Sequence, residues 1–180
     1  MLKKIRGFTL IELLIVVAII GILAALLIPN ALSAIQKAKQ KGTMKDINSI
    51  ATAITDFITD NGTAPVHDGA LAAGDPLYTA LSGFYLKVLP QNDQWGTPFL
   101  VYGQSAAVMG AGYGITESAD DEFIVVSYGR DKVDGPTFAY DPLDPASVYF
   151  SITGLPSFNE DLVNWSGSWI HAPKSAQSGT

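Results

Sequence analysis

The amino-acid sequence predicts an α+β protein in which one long N-terminal helix packs on a small antiparallel β-sheet. Two observations predict the helix: an aliphatic run over residues 8–28, and apolar residues at helical spacing between residues 47 and 58. A third observation predicts the sheet, because short segments rich in β-branched and aromatic residues follow residue 96.

The aliphatic run over residues 8–28 is long enough to cross a membrane. As a helix, its 21 residues would span about 31 Å, close to the ~30 Å thickness of the hydrocarbon layer. Lys3, Lys4 and Arg6 precede the run, and such charges hold the nearby end of a span in the cytoplasm. We therefore expect a single-pass helix with an exported C-terminal part. A cleaved secretory signal is an alternative, although its apolar core is usually only ~7–15 residues long.

Glu12 is the only charged residue in the aliphatic run. An ionisable group within a membrane span is costly and indicates a function with a partner. If the chain is cut after Gly7, the new α-amino group of Phe8 is a possible partner for Glu12 in a neighbouring helix. That pair would fix the axial offset between subunits. Without a partner, the carboxylate can instead take up a proton.

The predicted helix continues beyond the membrane span. Pro29 lies inside it and removes a hydrogen bond, which kinks a helix, while Gly21 lies two turns earlier and lowers helix stability. Asn61-Gly62 is a helix stop. A helix over residues 8–60 would be near 80 Å long, too long for a domain of this size to bury. Its N-terminal half must therefore lie in lipid or against other helices, which favours polymerisation.

Basic residues follow the span, and acidic residues dominate the rest. Four lysines come first: Lys37, Lys39, Lys41 and Lys45. They can form a solvated face near anionic headgroups, or they can meet acidic surfaces of neighbouring copies. From residue 46 onward there are 16 acidic residues and 4 basic ones, so nucleic-acid binding is not expected. An acidic domain can hold a hard cation such as calcium, or its charge can simply keep it soluble.

The composition excludes further classes of protein. With 8 Phe, 7 Tyr and 3 Trp the chain can fill a core, which excludes a disordered protein. The absence of Cys excludes disulfide-stapled domains and thiolate metal sites. Serine-hydrolase, zinc-protease and Walker motifs are absent from the sequence, and the two histidines, His67 and His171, lie far apart. We therefore expect a protein that is not an enzyme.

The segment after the helix predicts a small sheet with long loops. Three runs have strand character: Thr97–Tyr102, Glu122–Tyr128 and Val148–Ile152. Residues 103–121 and 136–157, rich in glycine or proline, predict loops. The predicted organisation is a leader peptide at 1–7, a transmembrane or filament-core helix at 8–28, its amphipathic continuation at 29–61, a globular domain at 62–172 and a mobile tail at 173–180.

The N-terminal motif Gly7-Phe8-Thr9-Leu10-Ile11-Glu12, followed by the aliphatic run and Pro29, resembles the class III leader of type IV pilins and pseudopilins. The resemblance implies a pilin-like fold. It implies that a prepilin peptidase cuts between Gly7 and Phe8 and methylates the new amine. It also implies that Phe8 and Glu12 act in filament assembly, and that the stretch from Gly21 to Pro29 can unwind in the filament.

Motifs in the globular part are similar to the major pseudopilin of type II secretion. They are Asp60-Asn61-Gly62, Phe84-Tyr85-Leu86-Lys87, Asp93-Gln94-Trp95-Gly96-Thr97-Pro98-Phe99, Ser127-Tyr128-Gly129-Arg130-Asp131 and Asp161-Leu162-Val163-Asn164-Trp165. This similarity implies a structural subunit of a helical homopolymer that supports protein export. Its implied partners are an inner-membrane assembly platform, a cytoplasmic ATPase and minor pseudopilins. Its implied location is the bacterial inner membrane and then the periplasmic pseudopilus.

Two alternatives remain at this point. A type IV pilin for adhesion or twitching motility shares the features of residues 1–60, although the missing Cys pair favours the pseudopilin. A monomeric membrane-anchored binding protein requires that the leader stays uncut.

The same resemblance implies a calcium ion in the loop after the sheet. Asp131 and Asp161 match its acidic positions, and Asp134 and Glu160 are nearby carboxylates. The alternative is that these are surface acids in turns. Two departures from the family stand against calcium: a proline-rich insert separates Asp131 from Asp161, and Gln94 replaces the usual proline of the Asp-Pro-Trp-Gly turn.

Overall fold

The computed structural model describes residues 8–104, 113–115, 119–135 and 140–174. Its helices are α1 (Leu10–Asn61), α2 (Pro76–Leu81) and a short 3-10 helix (Leu155–Phe158). Its strands are β1 (His67–Ala70), β2 (Leu100–Gly103), β3 (Phe123–Ser127), β4 (Leu162–Trp165) and β5 (Ser168–His171). The chain divides into two units, Met1–Gln36 and Lys37–Thr180.

The first unit contains the N-terminal half of α1. The helix continues without a break through Gly21 and Pro29, so unwinding there remains a prediction. Its large apolar side chains are exposed, with Leu10 80% and Leu26 70% accessible. Within the described residues, α1 is the one helix that is long and apolar enough to cross a membrane by length and composition. Apolar surface of this extent needs a cover, and the residues that the structure describes leave it exposed.

The second unit contains a five-stranded antiparallel sheet in the order β1-β2-β3-β4-β5. Sequential strands are neighbours throughout, and the register pairs Val101 with Val125 and Val125 with Asn164. The predicted α+β arrangement of one long helix and a small antiparallel sheet is confirmed.

The central strand β3 is buried along its whole length. On one face, Phe123 and Val125 join a core with the α1 stripe that helical spacing predicts, including Ile47, Ile50 and Ile54. On the other face, alternate residues form a second apolar cluster: Leu100, Ile124, Val126, Val163 and Ile170. A strand covered on both faces explains the continuous apolar run Phe-Ile-Val-Val.

Two of the three predicted strands are present. The strand expected at Thr97–Tyr102 starts later, at Leu100, and the one expected at Glu122–Tyr128 is β3. The strand predicted at Val148–Ile152 is wrong, because the segment makes only an isolated bridge between Phe150 and Pro173. It follows consecutive turns, and the Tyr149 hydroxyl donates to the carbonyl of Trp169 at 2.6 Å.

Strands β1, β4 and β5 were not predicted. β4 and β5 form a hairpin whose two-residue turn, Ser166-Gly167, has positive φ at both residues (47° and 85°), the conformation that favours tight hairpins. The Ser-Gly pair between two tryptophans was the available signal. β1 has the sequence His-Asp-Gly-Ala, which lacks strand-forming residues.

The predicted loops and tail are only partly described. Most of residues 103–121 and all of residues 175–180 lie outside the described residues. Residues 141–148 form turns, as the Asp144 amide donating to the Asp141 carbonyl at 3.1 Å illustrates. The tail was expected to begin at Pro173, but Pro173 is buried and the Lys174 amide donates to the Phe150 carbonyl at 2.8 Å.

Candidate functional site

Thr9 and Glu12 close the N-terminal end of α1. The Thr9 amide and hydroxyl both donate to Glu12 Oε2, at 2.9 and 2.6 Å, and the Glu12 amide donates to Thr9 Oγ1 at 3.3 Å. Reciprocal bonds of this kind form a capping box, which satisfies amides that the first helical turn leaves without partners. The Thr-x-x-Glu spacing at the start of the helix is the sequence signal for this box.

The capping box fixes where the predicted assembly residue lies. Glu12 stands in the first turn of α1, where the helix dipole favours a negative charge, and Phe8 beside it is 74% exposed. A carboxylate accepts more hydrogen bonds than the two from Thr9, so it can also receive a cation presented at this end. Gly7, the other residue of the predicted cleavage site, lies outside the described residues.

The second predicted site contains a buried carboxylate, Asp161. Its side chain is 5% exposed, and Oδ2 accepts the Gly135 amide at 2.9 Å. Oδ1 is buried and has no hydrogen-bond partner among the described residues. The pKa of Asp161 is raised to about 7, mainly by burial and also by the charges of Asp134, Asp131 and Glu160, while the hydrogen bond from the Gly135 amide opposes the rise. A carboxylate in this state is one that a bound cation would stabilise.

Backbone contacts bring the two distant predicted ligands into one region. The Arg130 amide donates to the Phe158 carbonyl at 2.8 Å. Gly129 has φ of +69°, and a Cβ there would lie 2.7 Å from the Glu160 carbonyl oxygen. This close approach requires glycine. It holds the turn that starts at Gly129 against the segment that leads into Asp161.

Besides Asp161, the predicted calcium ligands are Asp131 and Asp134, which lie on the surface of the turn that starts at Gly129. Asp131 and Asp134 are exposed, and Asp131 Oδ1 accepts the Val133 amide at 3.2 Å. In the described part of the chain, no group of three or more His, Asp or Glu side chains lies close enough to hold a metal ion. The structure therefore brings Asp161 next to the turn without assembling a carboxylate cage.

A second buried carboxylate, Asp93, organises the Asp-Gln-Trp-Gly turn. Its Oδ1 accepts the amides of Trp95 and Thr97, both at 2.9 Å, and its Oδ2 accepts the Ser127 hydroxyl at 2.8 Å. These bonds join the turn to β3. Asp93 therefore supports the architecture of the sheet and is not free to bind a ligand.

Gln94, which replaces the expected proline, joins the same turn to α1. Its side-chain amide donates to Asp46 at 2.8 Å, and its backbone amide donates to Thr43 Oγ1 at 3.2 Å. Gly42 permits this approach, since a Cβ there would lie 2.9 Å from Gln94 Cγ. In the sequence, Gln94 stands out only as a departure from the family pattern, and no local signal indicates this contact with α1.

An exposed groove of about 460 Å³ runs beside α1 in the second unit. We call it the lysine groove, and it is lined by Lys37, Gln40, Lys41, Met44, Lys45, Asn48, Ser49, Thr52, Ile152 and Pro173. Three of the four lysines that follow the span therefore share one surface. Lys39 is not among its lining residues.

Two protein families match the chain. Residues 2–28 match the prokaryotic N-terminal methylation motif, and residues 30–140 match the family described as type II secretion system (T2SS), protein G. The first match covers the leader motif and the aliphatic run, and the second covers most of α1 and the first three strands.

Three relatives with the same description illustrate the similarity. The type II secretion system core protein G of Dickeya chrysanthemi is 27% identical over 179 residues, which cover 94% of this chain and 92% of that protein. The protein of the same name from Klebsiella pneumoniae is 30% identical over 67% of this chain and 94% of its own length. That from Aeromonas hydrophila is 37% identical over 54% of this chain and 72% of its own length.

No solved structure matches the chain significantly. The capped apolar helix, the sheet behind its amphipathic half and the match over residues 30–140 agree with one another. The chain therefore belongs to the protein G family of type II secretion systems.

Proposed function

We propose that this chain is the major pseudopilin, the structural subunit of a type II secretion pseudopilus that supports protein export. The observation that carries the proposal is the N-terminal half of α1, whose apolar side chains are exposed in the single chain, on a protein of this family. A subunit of this kind functions through the contacts that it makes with other copies of itself. The family match favours this function over that of a surface pilin.

The proposed life cycle starts in the inner membrane. The basic residues of the leader keep the N-terminus in the cytoplasm, and the domain after α1 lies in the periplasm. A prepilin peptidase removes residues 1–7 and methylates the amine of Phe8. An inner-membrane platform, a cytoplasmic ATPase and minor pseudopilins then support growth of the filament.

Glu12 supplies the polar contact of assembly in this proposal. The capping box holds its carboxylate at the end of α1, where the amine of Phe8 from a neighbouring subunit can approach. An opposite charge compensates a carboxylate that is otherwise costly in an apolar bundle. Apolar packing between helices supplies the remaining attraction, and the paired charges set the axial position of the new subunit.

The proposal is tested by isolating the mature protein from cells that overproduce the secretion genes. We expect mass spectrometry to find a chain that starts at methylated Phe8, and electron microscopy to find thin filaments that contain it. A mature chain that still begins at Met1, or cells that contain the protein only as monomers, would overturn the proposal.

Calcium binding at Asp161 is a second part of the proposal. One observation fits a cation: Asp161 Oδ1 is buried without a partner among the described residues. Calcium takes six to eight oxygen ligands, including backbone carbonyls, so a site without a carboxylate cage is possible for it. We propose that Asp161 anchors the ion and that Asp131 and Asp134 contribute their charge. The ion would fix the turn after β3 and would take no part in chemistry.

The calcium proposal is tested by thermal unfolding of the mature chain in detergent, with calcium or with a chelator. At calcium 100-fold above its dissociation constant, we expect stabilisation of about 2.7 kcal/mol, or roughly 5–10 °C in Tm. Asp161→Asn keeps the size of the side chain and should abolish the response. An unchanged midpoint in the unsubstituted chain would contradict the proposal.

A further inference from the structure

The lysine groove is a cationic surface whose described lining residues include no acid. Lys37, Lys41 and Lys45 are exposed and four residues apart on α1, so they share one face and repel one another. None of its lining residues is Asp or Glu. Gln40 also lines it, is 2% exposed, and its amide nitrogen is buried without a partner among the described residues. The groove therefore offers positive charge and one unused donor to an anionic occupant.

The same groove has apolar walls. Met44 belongs to α1, Ile152 belongs to the predicted loop over residues 136–157, and Pro173 follows β5. A simple phosphate needs cations but gains nothing from apolar walls. An occupant that uses the whole groove carries both acidic and apolar groups.

A surface with those groups lies near the C-terminal end of α1. Asp56, Thr59, Asp60, Phe84 and Tyr85 line a shallow depression of about 350 Å³, which we call the acidic aromatic patch. Phe84 is 81% exposed yet is held against Tyr85 with ring centroids 4.8 Å apart. The Tyr85 hydroxyl donates to Asp60 at 2.9 Å. An exposed, positioned aromatic side chain beside two carboxylates is typical of an interaction surface.

We propose that the lysine groove of one subunit binds the acidic aromatic patch of a second copy of this chain. This inference rests on the proposed filament and deepens it. The carboxylates of Asp56 and Asp60 meet the three lysines, and Phe84 meets Met44 and Ile152. Charge complementarity within one chain supports a second copy as the occupant.

The positions of the two surfaces give the contact a direction. Lys41 and the residues Asp56 and Asp60 are 15–19 residues apart on α1, which corresponds to about 22–28 Å of helix. Membrane-anchored copies share one orientation, so the two surfaces meet only if one copy is displaced along the axis by a similar distance. A contact between two different surfaces does not close on itself, and repetition of it produces an open filament.

The test uses cysteine cross-linking in assembled filaments, because the native chain has no Cys. With Lys41→Cys and Asp56→Cys in the same chain, oxidation should yield a ladder of dimers, trimers and larger species. Each single substitution should yield no ladder. The matched control pairs Lys41→Cys with Asp68→Cys, an exposed aspartate on β1 outside the patch, and should also yield none.

A charge exchange provides the second measurement. Lys41→Asp should lower filament yield at least several-fold, and adding Asp56→Lys should restore most of it, since the pair is then reversed. Filaments without a ladder and without this rescue would overturn the inference while leaving the proposed function intact. Absence of filaments from the unsubstituted chain would instead overturn the proposed function. Lys41→Asp could instead weaken binding to phosphatidylglycerol vesicles and leave the filaments normal. That result would show that the groove binds lipid headgroups, and it would refute the contact between subunits.

Discussion

The two halves of α1 differ both in the number of their aliphatic residues (Ala, Val, Ile and Leu) and in the arrangement of these residues, with 21 over residues 10–35 and 7 over residues 36–61. In the N-terminal half they occur all around the helix and remain exposed, with Ile20 59% accessible. In the C-terminal half they form a stripe, and Ile50 is fully buried under the sheet. An all-round apolar helix needs lipid or other helices, whereas a striped one can be covered by its own domain. The first half serves assembly and the second serves folding.

The largest effect is expected from Glu12→Ala in the N-terminal half. It removes both the cap of α1 and the proposed partner of the Phe8 amine. We expect the protein to remain in the membrane fraction at normal levels while filaments, counted by electron microscopy, become undetectable.

Glu12→Gln separates the two roles, since a glutamine can still cap the helix but carries no charge. We expect filaments to be lost in Glu12→Gln as well, because the charge is absent.

For the first variant, normal filaments from Glu12→Ala would contradict the assembly role of this residue.

A matched pair of substitutions compares the two halves directly. Ile50→Ala empties space in the core and should lower the free energy of unfolding by about 2–5 kcal/mol. Ile20→Ala changes an exposed side chain and should leave that free energy unchanged. Both are measured by urea unfolding in detergent with tryptophan fluorescence. Equal effects of the two substitutions would contradict the division between folding and assembly.

The pH dependence of stability tests the buried carboxylate of the second unit. The pKa of Asp161 is about 7 in the folded protein, above the ordinary value of ~3.9. The folded state thus keeps a proton that the unfolded chain loses from about pH 4 upward, so stability falls as pH rises to about 7.

In the presence of a chelator, the free energy of unfolding should fall by up to about 4 kcal/mol as the pH rises from 4 to 8, because of the raised pKa of Asp161. Asp161→Asn should flatten this part of the profile, measured by urea unfolding at several pH values. A slope that survives the substitution would show that another group causes it.

The smallest effect is expected from Gln94→Ala. It removes an exposed hydrogen bond to Asp46, and such a bond contributes at most about 0.5–1.5 kcal/mol. The adjacent backbone bond to Thr43 remains. Thermal unfolding should show a Tm lower by a few degrees, with filaments unchanged. A loss of filaments would indicate that the turn also contacts neighbouring subunits.

Prediction from sequence succeeded where one pattern has one physical meaning. The spacing of Ile47, Ile50 and Ile54 can only place them on one helix face, and those residues are buried. The run at Phe123–Ser127 predicts a strand, although not that it is covered on both faces. The covering of its second face depends on residues distant in sequence, such as Val163 and Ile170.

Prediction failed where long-range contacts decide. Val148–Ile152 has the composition of a strand but is not part of the sheet. It is held by the hydrogen bond from the Tyr149 hydroxyl to the Trp169 carbonyl and by the isolated bridge between Phe150 and Pro173. β1 has poor strand-forming residues and exists because β2 offers it an edge. The candidate calcium site was only partly predictable, because the burial of Asp161 depends on a turn 26 residues earlier in the chain.

The capping box has a consequence for a subunit that waits in the bilayer. Its carboxylate already shares hydrogens from Thr9, so the resting molecule does not present a bare anion to the lipid. If Glu12 then accepts the amine of an incoming copy, joining the fibre adds one donor to a carboxylate that keeps its bonds from Thr9. A bond added in this way can also be released, so a reserve of unassembled subunits can persist beside the growing base.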